Sequence, residues 1–304
     1  MKRVLVTGAS GFIGRHSLHS LVERGYEVHA VTPGPVVPGP YRWHHVDLLA
    51  PGGAALLMQE IRPTHLLHFA WYAVPGQYWT SLENFRWVRA SLELLQEFQV
   101  CGGQRVVMAG TCAEYDWRYG ACVENVTPLS PTTPYGVCKN ALRALGEAFG
   151  AQTGLSFAWG RIFFLYGPHE LPSRLVASVI CALLRGEPAR TSHGRQIRDF
   201  LHVQDVADAF VHLLESEVTG AVNVASGRPV ALREVVTRIA DMIGRRDLLE
   251  VGAIPTPPSE PGLLVADTGR LNREVGWVPR YSLEEGLRQT IAWWRENLQE
   301  GDAG

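Results

Sequence analysis

Residues 2–14 read Lys2-Arg3-Val4-Leu5-Val6-Thr7-Gly8-Ala9-Ser10-Gly11-Phe12-Ile13-Gly14. The run up to Thr7 is short, apolar and rich in β-branched side chains, and glycines follow at positions 8, 11 and 14. This pattern predicts a strand, a tight turn and the start of a helix, because glycine lets a backbone turn sharply and approach a ligand closely. The unpaired N–H groups at a helix start attract an anion. We therefore expect a pyrophosphate-binding turn, the alternative being a glycine-rich turn that binds nothing.

Strand and helix patterns alternate through the first half of the chain. Besides the opening run, strands are predicted at 27–32, 43–46, 64–70, 105–109 and 156–164, and helices from the glycine turn to Arg24 and at 54–61, 79–98 and 136–152. The run 64–70 is nearly all apolar, as a parallel sheet covered on both faces requires. The alternation predicts an α/β fold with a Rossmann-like, doubly wound parallel sheet, whose ligands bind beyond the carboxyl ends of the strands.

The regular alternation of strand and helix patterns ends after Tyr166-Gly167-Pro168. Shorter elements follow, with helices at 174–185, 205–215, 232–243 and 283–297, extended runs at 194–203 and 221–224, and a proline-rich connection at 255–261. Such short, mixed segments predict a smaller, partly interleaved C-terminal substrate lobe that closes over a cleft. We predict a nucleotide-binding domain at 1–166, with 198–225 folding back onto it, and the second lobe at 167–304.

Composition restricts the partners and the compartment. The 304 residues carry a net charge of -2, which argues against a nucleic acid or an anionic membrane as the main partner. The five cysteines form no C-x-x-C pair and their number is odd, so a reducing, cytoplasmic compartment fits best. We find no signal-peptide apolar region and no apolar run that approaches the roughly 20 residues of a membrane span. No membrane partner and no metal site are predicted.

Tyr135-Gly136-Val137-Cys138-Lys139 is the second informative stretch. Positions i and i+4 of a helix share one face, so the phenol and the ammonium can converge on one ligand. A nearby ammonium favours the phenolate and lowers the pKa of a tyrosine, which can then act as a general acid or base. The alternative is an unrelated surface tyrosine and lysine, because this spacing is common by itself.

These motifs together resemble the extended short-chain dehydrogenases/reductases of the NAD-dependent epimerase/dehydratase family, which act on nucleotide-diphosphate sugars. The resemblance covers the chain essentially from end to end. It rests on the segments 7–14, 47–48, 68–70, 110–111, 135–139, 161, 166–168, 198–207, 223 and 271–277. It implies that the domain at 1–166 binds NAD(P) and that the lobe at 167–304 binds the nucleotide sugar.

The resemblance implies catalytic roles for three residues. Tyr135 would exchange a proton with a sugar hydroxyl or carbonyl, and Thr111 would hydrogen-bond the same sugar oxygen. Lys139 would hold the nicotinamide ribose and lower the pKa of the tyrosine. Together they form the proton half of a hydride transfer whose other half belongs to the nicotinamide.

The resemblance also implies two sets of binding residues. The cofactor set is Gly8, Ser10, Gly11, Phe12, Ile13, Gly14, Arg15, Thr32, Asp47, Leu48, Phe69, Ala70, Trp71, Tyr135 and Lys139. The substrate set is Thr111, Cys112, Ala113, Phe164 and Arg198. Asp47 would accept a hydrogen bond from the adenine amino group, and Arg198 would face the diphosphate, which suits its planar fork. The alternative for Arg198 is a salt bridge to Asp199 or Asp205.

Departures from the family pattern reduce the number of reactions expected of this chain. In the 4,6-dehydratases an Asp-Glu pair follows the residue that matches Thr111, whereas Cys112 and Ala113 stand here, so dehydration is not expected. Whether Glu114 substitutes for that pair is left open. For Cys112, a small core thiol is favoured over the acid/base cysteine of the epimerase-reductases that make GDP-fucose. The asparagine that commonly precedes the Tyr-Gly-Pro turn is replaced in the 163–164 region, which departs from the usual hexose pocket.

The end of the second strand decides the cofactor prediction. NAD enzymes need an acidic residue there for the ribose 2′-OH. Here Val31-Thr32-Pro33 brings no carboxylate, and Arg15 follows the third glycine. We favour NADP(H), with NAD(H) as the alternative.

The sequence therefore predicts an NAD(P)H-dependent reductase of the keto group of a 4-keto-6-deoxy nucleotide-diphosphate sugar. A nucleotide-sugar 4-epimerase with tightly bound NAD is the first alternative. A non-catalytic dinucleotide-sensing protein is the second, and it is disfavoured because such proteins usually lose the tyrosine or the lysine.

A homodimer is also expected. The helix at 79–98 and the helix that carries Tyr135 resemble the pair that forms a two-fold, four-helix interface in this family. The candidate contacts are Leu92, Leu95, Leu142, Leu145 and Phe149. The alternative is that these side chains pack inward.

Overall fold

The structure is a computed structural model that describes residues 2–257 and 260–298. Residues 258–259 of the predicted proline-rich connection and 299–304 of the predicted lobe lie outside the described residues. Within these described ranges, we find no helix with the length and apolar character that crossing a membrane requires.

Strands and helices alternate along most of the chain. The strands are β1 (Arg3–Thr7), β2 (Glu27–Val31), β3 (Arg42–His44), β4 (His65–His68), β5 (Arg105–Thr111), β6 (Ala121–Cys122), β7 (Ser156–Ile162), β8 (Phe164–Tyr166), β9 (Ala189–Thr191), β10 (Ile197–His202), β11 (Gly220–Val224), β12 (Pro229–Ala231), β13 (Leu249–Val251) and β14 (Leu263–Ala266). The α-helices are α1 (Gly14–Glu23), α2 (Gly53–Ile61), α3 (Glu83–Val100), α4 (Pro134–Thr153), α5 (Leu175–Arg185), α6 (Val203–Glu215), α7 (Leu232–Ile243), α8 (Gly269–Arg273) and α9 (Leu283–Asn297).

The largest sheet has seven parallel strands in the order β11-β7-β5-β4-β1-β2-β3. The strand order reverses between β1 and β4, so a ligand crevice is expected at their carboxyl ends. Thr7 and His68 are paired at that end. The α/β fold with a Rossmann-like, doubly wound sheet, predicted from the sequence, is confirmed.

The interior of this sheet explains why its strands are so apolar. Successive side chains of a strand point to opposite faces. Val4 and Val6 pack on one face with Phe210 of α6, while Leu5 and Leu66 pack on the other with residues of α2 and α3. Because helices cover both faces, nearly every position of a central strand is buried, and polar alternation is lost.

A smaller sheet organises the C-terminal part of the chain. Its order is β12-β10-β14-β6, with β8 paired to β10, and α5, α7 and α9 share a core beside it. The chain crosses between the sheets more than once, since β6 joins the smaller sheet while α6 and β11 lie with the large one. Residues 198–202 belong to β10, so the return to the large sheet begins at Val203. The division into domains at 166/167 stays a prediction.

The long helix α3 begins at Glu83, later than the predicted start at residue 79. The Ser81 hydroxyl accepts the Glu83 backbone N–H at 3.2 Å. The side-chain amide of Asn84 donates to the carbonyls of Tyr78 and Ser81 at 2.7 and 2.8 Å. These bonds hold 78–81 as a turn, although its apolar residues keep helical spacing.

The strand predicted at 156–164 is divided in two. β7 ends at Ile162, and the backbone N–H of Phe163 donates to the carbonyl of Val224 at 3.2 Å. Phe164 then starts β8, which pairs with β10 of the smaller sheet. The chain leaves one sheet for the other at this point.

Two of the candidate dimer contacts pack inward instead. Leu95 and Leu142 are 1% and 0% exposed and belong to the core between the large sheet and α3 and α4. Leu92 and Phe149 are partly buried against the same core, whereas Leu145 is 48% exposed. The predicted intermolecular contact is therefore wrong for Leu95 and Leu142, because they lie on the sheet-facing side of their helices.

Candidate active site

The glycine turn between β1 and α1 has no room for side chains at two of its glycines. Gly8 has a φ of +64°, and a Cβ there would lie 2.8 Å from the backbone nitrogen of Ala70. A Cβ on Gly14 would lie 2.9 Å from Cα of Ala9 and would overlap the carbonyl oxygen of Gly8. The Gly11 N–H closes the turn by donating to the Gly8 carbonyl at 2.9 Å. A bare backbone at a helix start fits a pyrophosphate.

Ser10, Arg15 and Thr32 converge beside this turn. The hydroxyl oxygens of Ser10 and Thr32 are 2.7 Å apart. Arg15 donates through Nη2 to the Ser10 carbonyl at 2.8 Å. Phe12 and Ile13 of the turn are partly buried. The carboxyl ends of β1 and β2 thus meet a guanidinium and two hydroxyls.

Three further predicted cofactor contacts differ in the exposure of their side chains. Asp47 is exposed, and its Oδ1 accepts the Leu49 backbone N–H at 2.9 Å. Leu48 is 6% exposed and packs in the core. Phe69 packs edge-on against Phe210, with ring centroids 5.0 Å apart. Asp47 is therefore the member of this group with a polar side chain open to a ligand.

The structure brings the three predicted catalytic residues together. Thr111 ends β5, Tyr135 lies in the first turn of α4, and their side chains share a hydrogen bond. Tyr78 and Trp79 meet the Tyr135 ring edge-on, with centroids 4.9 and 5.6 Å away. Lys139 follows one helical turn later on α4, on the same face as Tyr135.

Lys139 is buried under an indole ring. Its Nζ donates to the Ala109 carbonyl at 2.8 Å and lies 3.7 Å from the centroid of the Trp71 ring. Trp71 is held in turn by its indole N–H, which donates to Oδ1 of Asn84 at 2.8 Å. Burial lowers the pKa of Lys139 to about 7, because desolvation disfavours the ammonium. Trp71, predicted to contact the cofactor, covers the ammonium of Lys139.

The pKa of Tyr135 is raised, contrary to the sequence prediction. Burial is the largest cause, since apolar surroundings disfavour the phenolate, and the hydrogen bond to Thr111 only partly offsets it. Lys139 does not contribute to this shift, and its ammonium contacts the Ala109 carbonyl and the Trp71 ring. The phenol is therefore protonated at neutral pH, as a proton donor must be.

The residues after Thr111 do not form an acid/base pair. Burial raises the pKa of the Cys112 thiol to about 12, and Ala113 is also buried. Glu114 is 0% exposed, and its two oxygens accept hydrogen bonds from Trp159 at 2.8 Å and Arg161 at 2.7 Å. The open alternative that Glu114 replaces the dehydratase pair is wrong, because its carboxylate is turned into the protein interior.

Arg198 has a partner that neither sequence interpretation named. It is 1% exposed, and its Nη2 donates to Oε1 of Glu260 at 2.7 Å. Its guanidinium carbon lies 5.2 Å from the centroid of the Phe164 ring. The alternative salt bridges are wrong, because Asp199 accepts the backbone N–H groups of residues 226 and 227, and Asp205 those of 280 and 281.

Sequence reasoning gave no site role to Arg161 or Glu260. It considered Tyr78 only among the aromatic residues near the ends of the strands that could stack on a ligand, with core packing as the favoured role for most of them. No local signal exists for the other two, since Arg161 lies 47 residues from Glu114 and Glu260 lies 62 residues from Arg198. Such pairs are visible only after folding.

Similarity to known proteins covers nearly the whole chain. Residues 4–225 match the model of the NAD dependent epimerase/dehydratase family. The UDP-glucose 4-epimerase of Azospirillum brasilense is 30% identical, over 99% of this chain and 95% of that protein. The GDP-6-deoxy-D-mannose reductase of Pseudomonas aeruginosa is 27% identical, over 98% of this chain and 99% of that protein.

A solved structure is also similar over nearly the whole chain. The protein MoeE5, in complex with UDP-glucose and NAD, matches with a TM-score of 0.85 and 32% identity. The match covers 97% of this chain and 99% of MoeE5. The similarity thus extends over both sheets and to proteins named as epimerases and as reductases.

Proposed function

Because the chain belongs to the NAD-dependent epimerase/dehydratase family, we propose that it reduces the keto group of a 4-keto-6-deoxy nucleotide-diphosphate sugar. The observation that carries this proposal is the protonated phenol of Tyr135, hydrogen-bonded to Thr111 in a site that holds Cys112 and Ala113 where dehydratases carry an acid and a base. Carbonyl reduction needs one proton donor beside the hydride source. Elimination of water needs a second acid/base group.

The class of the enzyme is broader than this reaction. The family contains nucleotide-sugar epimerases, dehydratases and reductases, so the chain is an oxidoreductase or an epimerase. The glycine turn fits a dinucleotide, because its backbone is bare at the start of α1. Gly8 to Gly14, Arg15, Thr32 and Lys139 would hold this cofactor. When bound, its nicotinamide supplies the hydride.

Tyr135 gives its proton to the carbonyl oxygen of the substrate as the alcohol forms. The Thr111 hydroxyl donates a hydrogen bond to the same oxygen and fixes its place. Lys139, one helical turn further along α4, would hold the nicotinamide ribose. The rings of Tyr78 and Trp79 pack against Tyr135 and hold the phenol, which is the proton source in this proposal.

Arg198 is our proposed ligand for the diphosphate. Its guanidinium is held by Glu260, and phosphate oxygens can replace that carboxylate because both present paired oxygens to the planar fork. Phe164 lies under the guanidinium and supports it through a cation–π contact. A substrate bound by Arg198 of β10 beside Phe164 of β8 would thus reach Thr111 of β5 from the side of the smaller sheet.

The second candidate is a nucleotide-sugar 4-epimerase. It is favoured by the 30% identity to a protein named UDP-glucose 4-epimerase. The same tyrosine, threonine and lysine would serve it, with the hydride returned to the same sugar. A dinucleotide-sensing protein without catalysis has no need of the hydrogen bond between Thr111 and Tyr135.

For the cofactor we propose NADP(H), with NAD(H) as the alternative. Arg15 is anchored on the Ser10 carbonyl beside Thr32, at the ends of β1 and β2. Rossmann sheets place the adenosine ribose at this edge. A guanidinium there can bind a 2′-phosphate, whereas binding of a free 2′-OH usually relies on a carboxylate.

The test is turnover with a panel of 4-keto-6-deoxy nucleotide sugars and both reduced cofactors. We expect one member to oxidise NADPH faster than NADH. Arg15→Leu should raise KM for NADPH about 10-fold or more, the size of a lost charge-assisted hydrogen bond, and change KM for NADH little. Interconversion of two sugars without net oxidation, by a protein purified with bound NAD, would instead establish the epimerase.

We also propose a homodimer through α3 and α4. Phe85 on α3 is 54% exposed, and Val137 and Leu145 on α4 are 47% and 48% exposed. Light scattering at micromolar concentration should give twice the 33.6 kDa chain mass. Leu145→Arg should give a monomer, while Leu56→Arg on α2, at a site 72% exposed, should not. A monomeric wild-type chain would contradict the proposal.

A reducing, cytoplasmic compartment is proposed on the cysteines. All five are free thiols, and four of them are buried. Free buried thiols are typical of proteins that fold under reducing conditions.

A further inference from the structure

A buried carboxylate lies directly behind the catalytic residues. Glu114 ends a short 3₁₀ helix, Cys112–Glu114, whose N-cap is Thr111. Its Oε1 accepts the backbone N–H of Thr111 at 2.9 Å and the indole N–H of Trp159 at 2.8 Å. Its Oε2 accepts from Nε of Arg161 at 2.7 Å. All these groups are buried, and Glu114 accepts a hydrogen bond from each of the three donors.

We propose that Glu114 is a positioning residue for the reaction proposed above: it fixes the backbone of Thr111 and holds a negative charge within electrostatic range of Tyr135 and Lys139. The Thr111 side chain shares a hydrogen bond with Tyr135, so the Thr111 backbone that Glu114 fixes carries a group in contact with the proton donor. The inference rests on the proposed function only for its effect on turnover.

The charge of Glu114 acts on the lysine in a definite direction. Burial under Trp71 disfavours the Lys139 ammonium, and Glu114 opposes this by favouring the charged form. Arg161 pairs with Glu114 and is not among the groups that shift the pKa of Lys139. Loss of the negative charge should therefore lower the pKa of Lys139 below its value of about 7.

The other titratable groups around the pair do not compete with this effect. His68 ends β4 and shares a hydrogen bond with Ser91 of α3, and its pKa is lowered to about 3 by burial, so it is neutral. Tyr78 and Cys112 face Tyr135, and burial raises the pKa of both, so they too are neutral. Among the described residues, Glu114 is the charged group that acts on Lys139.

A purely structural role is the competing explanation. Arg161 also donates to the hydroxyl of Tyr115 at 3.0 Å, and that hydroxyl donates to Asn223 at 2.8 Å. The side-chain amide of Asn223 then donates to carbonyls of residues 122 and 267, which lie at the smaller sheet. The ion pair could therefore serve only to join the sheets, in which case its charge would not affect the site.

The chain offers a direct measurement, because Lys2 and Lys139 are its only lysines. Labelling with ¹³C-lysine gives two side-chain signals, and the one that Lys139→Arg removes is Lys139. We expect its titration midpoint to fall by about one pH unit in Glu114→Gln, the effect of one charge at moderate distance. Glutamine keeps an oxygen for the Thr111 N–H, so the change isolates the charge.

Two further variants keep this test decisive. Glu124→Gln removes another buried carboxylate that does not act on Lys139 and should leave the midpoint in place. Glu114→Gln combined with Arg161→Met avoids an unpaired buried guanidinium, which by itself could unfold the protein. The double variant should show the same fall in midpoint, and an unchanged midpoint in both variants would overturn the proposal.

Turnover gives the second readout. The charged form of Lys139 is lost as pH rises through its pKa, so the alkaline limb of kcat should move to lower pH in Glu114→Gln, with KM changed less than kcat. A limb in its wild-type position would overturn the proposal. A wild-type enzyme that reduces no keto sugar would overturn the proposed function instead. The lysine titration would still test the effect of Glu114 on Lys139, because it needs no turnover.

Discussion

Tyr135→Phe is expected to lower kcat by about 10²- to 10⁴-fold, the contribution of a positioned general acid. The ring stays in place because Tyr78 and Trp79 pack against it, so only the proton and the hydrogen bond to Thr111 are lost. KM for the sugar and the thermal midpoint should change little. The measurement is NADPH oxidation with the best substrate of the panel, alongside thermal unfolding.

Tyr26→Phe is the matched control for this prediction. The Tyr26 hydroxyl is buried with no partner in the described part of the chain, and it lies at β2, away from the carboxyl ends of the strands. Its removal should leave kcat unchanged. A Tyr135→Phe enzyme that keeps more than about a tenth of the wild-type kcat would contradict the role of proton donor.

The large sheet could be predicted from the sequence because its strands are long and buried on both faces. Runs such as 64–70 are apolar at nearly every position, and helical spacing is clear between them. The smaller sheet could not be predicted in the same way. Strands such as β6 (Ala121–Cys122) and β12 (Pro229–Ala231) are too short for a period of two to be recognised, and β12 begins with a proline.

The candidate site also has one part that the sequence could predict and one part that it could not. Tyr135 and Lys139 are neighbours on a helix, so their spacing in the sequence is their spacing in space. The pairs Glu114–Arg161 and Arg198–Glu260 join distant segments, and only the fold brings them together. The raised pKa of Tyr135 has the same origin, because the rings that pack against it, Tyr78 and Trp79, come from a turn before α3.

Gly14→Ala is expected to abolish tight cofactor binding and to destabilise the protein. The new methyl group would overlap the Gly8 carbonyl oxygen and lie 2.9 Å from Cα of Ala9. Both neighbours are backbone atoms, so no side-chain rotation relieves the clash, and the turn must shift away from β1. Overpacking of this kind costs about 1–3 kcal/mol, or about 5 °C of thermal midpoint in a chain of this size.

The loss of affinity should exceed the loss of stability, because the N–H groups of the turn and of α1 must point at one pyrophosphate to bind it. Calorimetric titration with NADPH should show Kd raised about 100-fold or more, equal to at least two lost hydrogen bonds to charged oxygens. Gly262→Ala is the control, since a Cβ there meets nothing within 4 Å. A Gly14→Ala protein that binds NADPH with the wild-type Kd would show that the turn does not hold the cofactor, whatever its thermal midpoint.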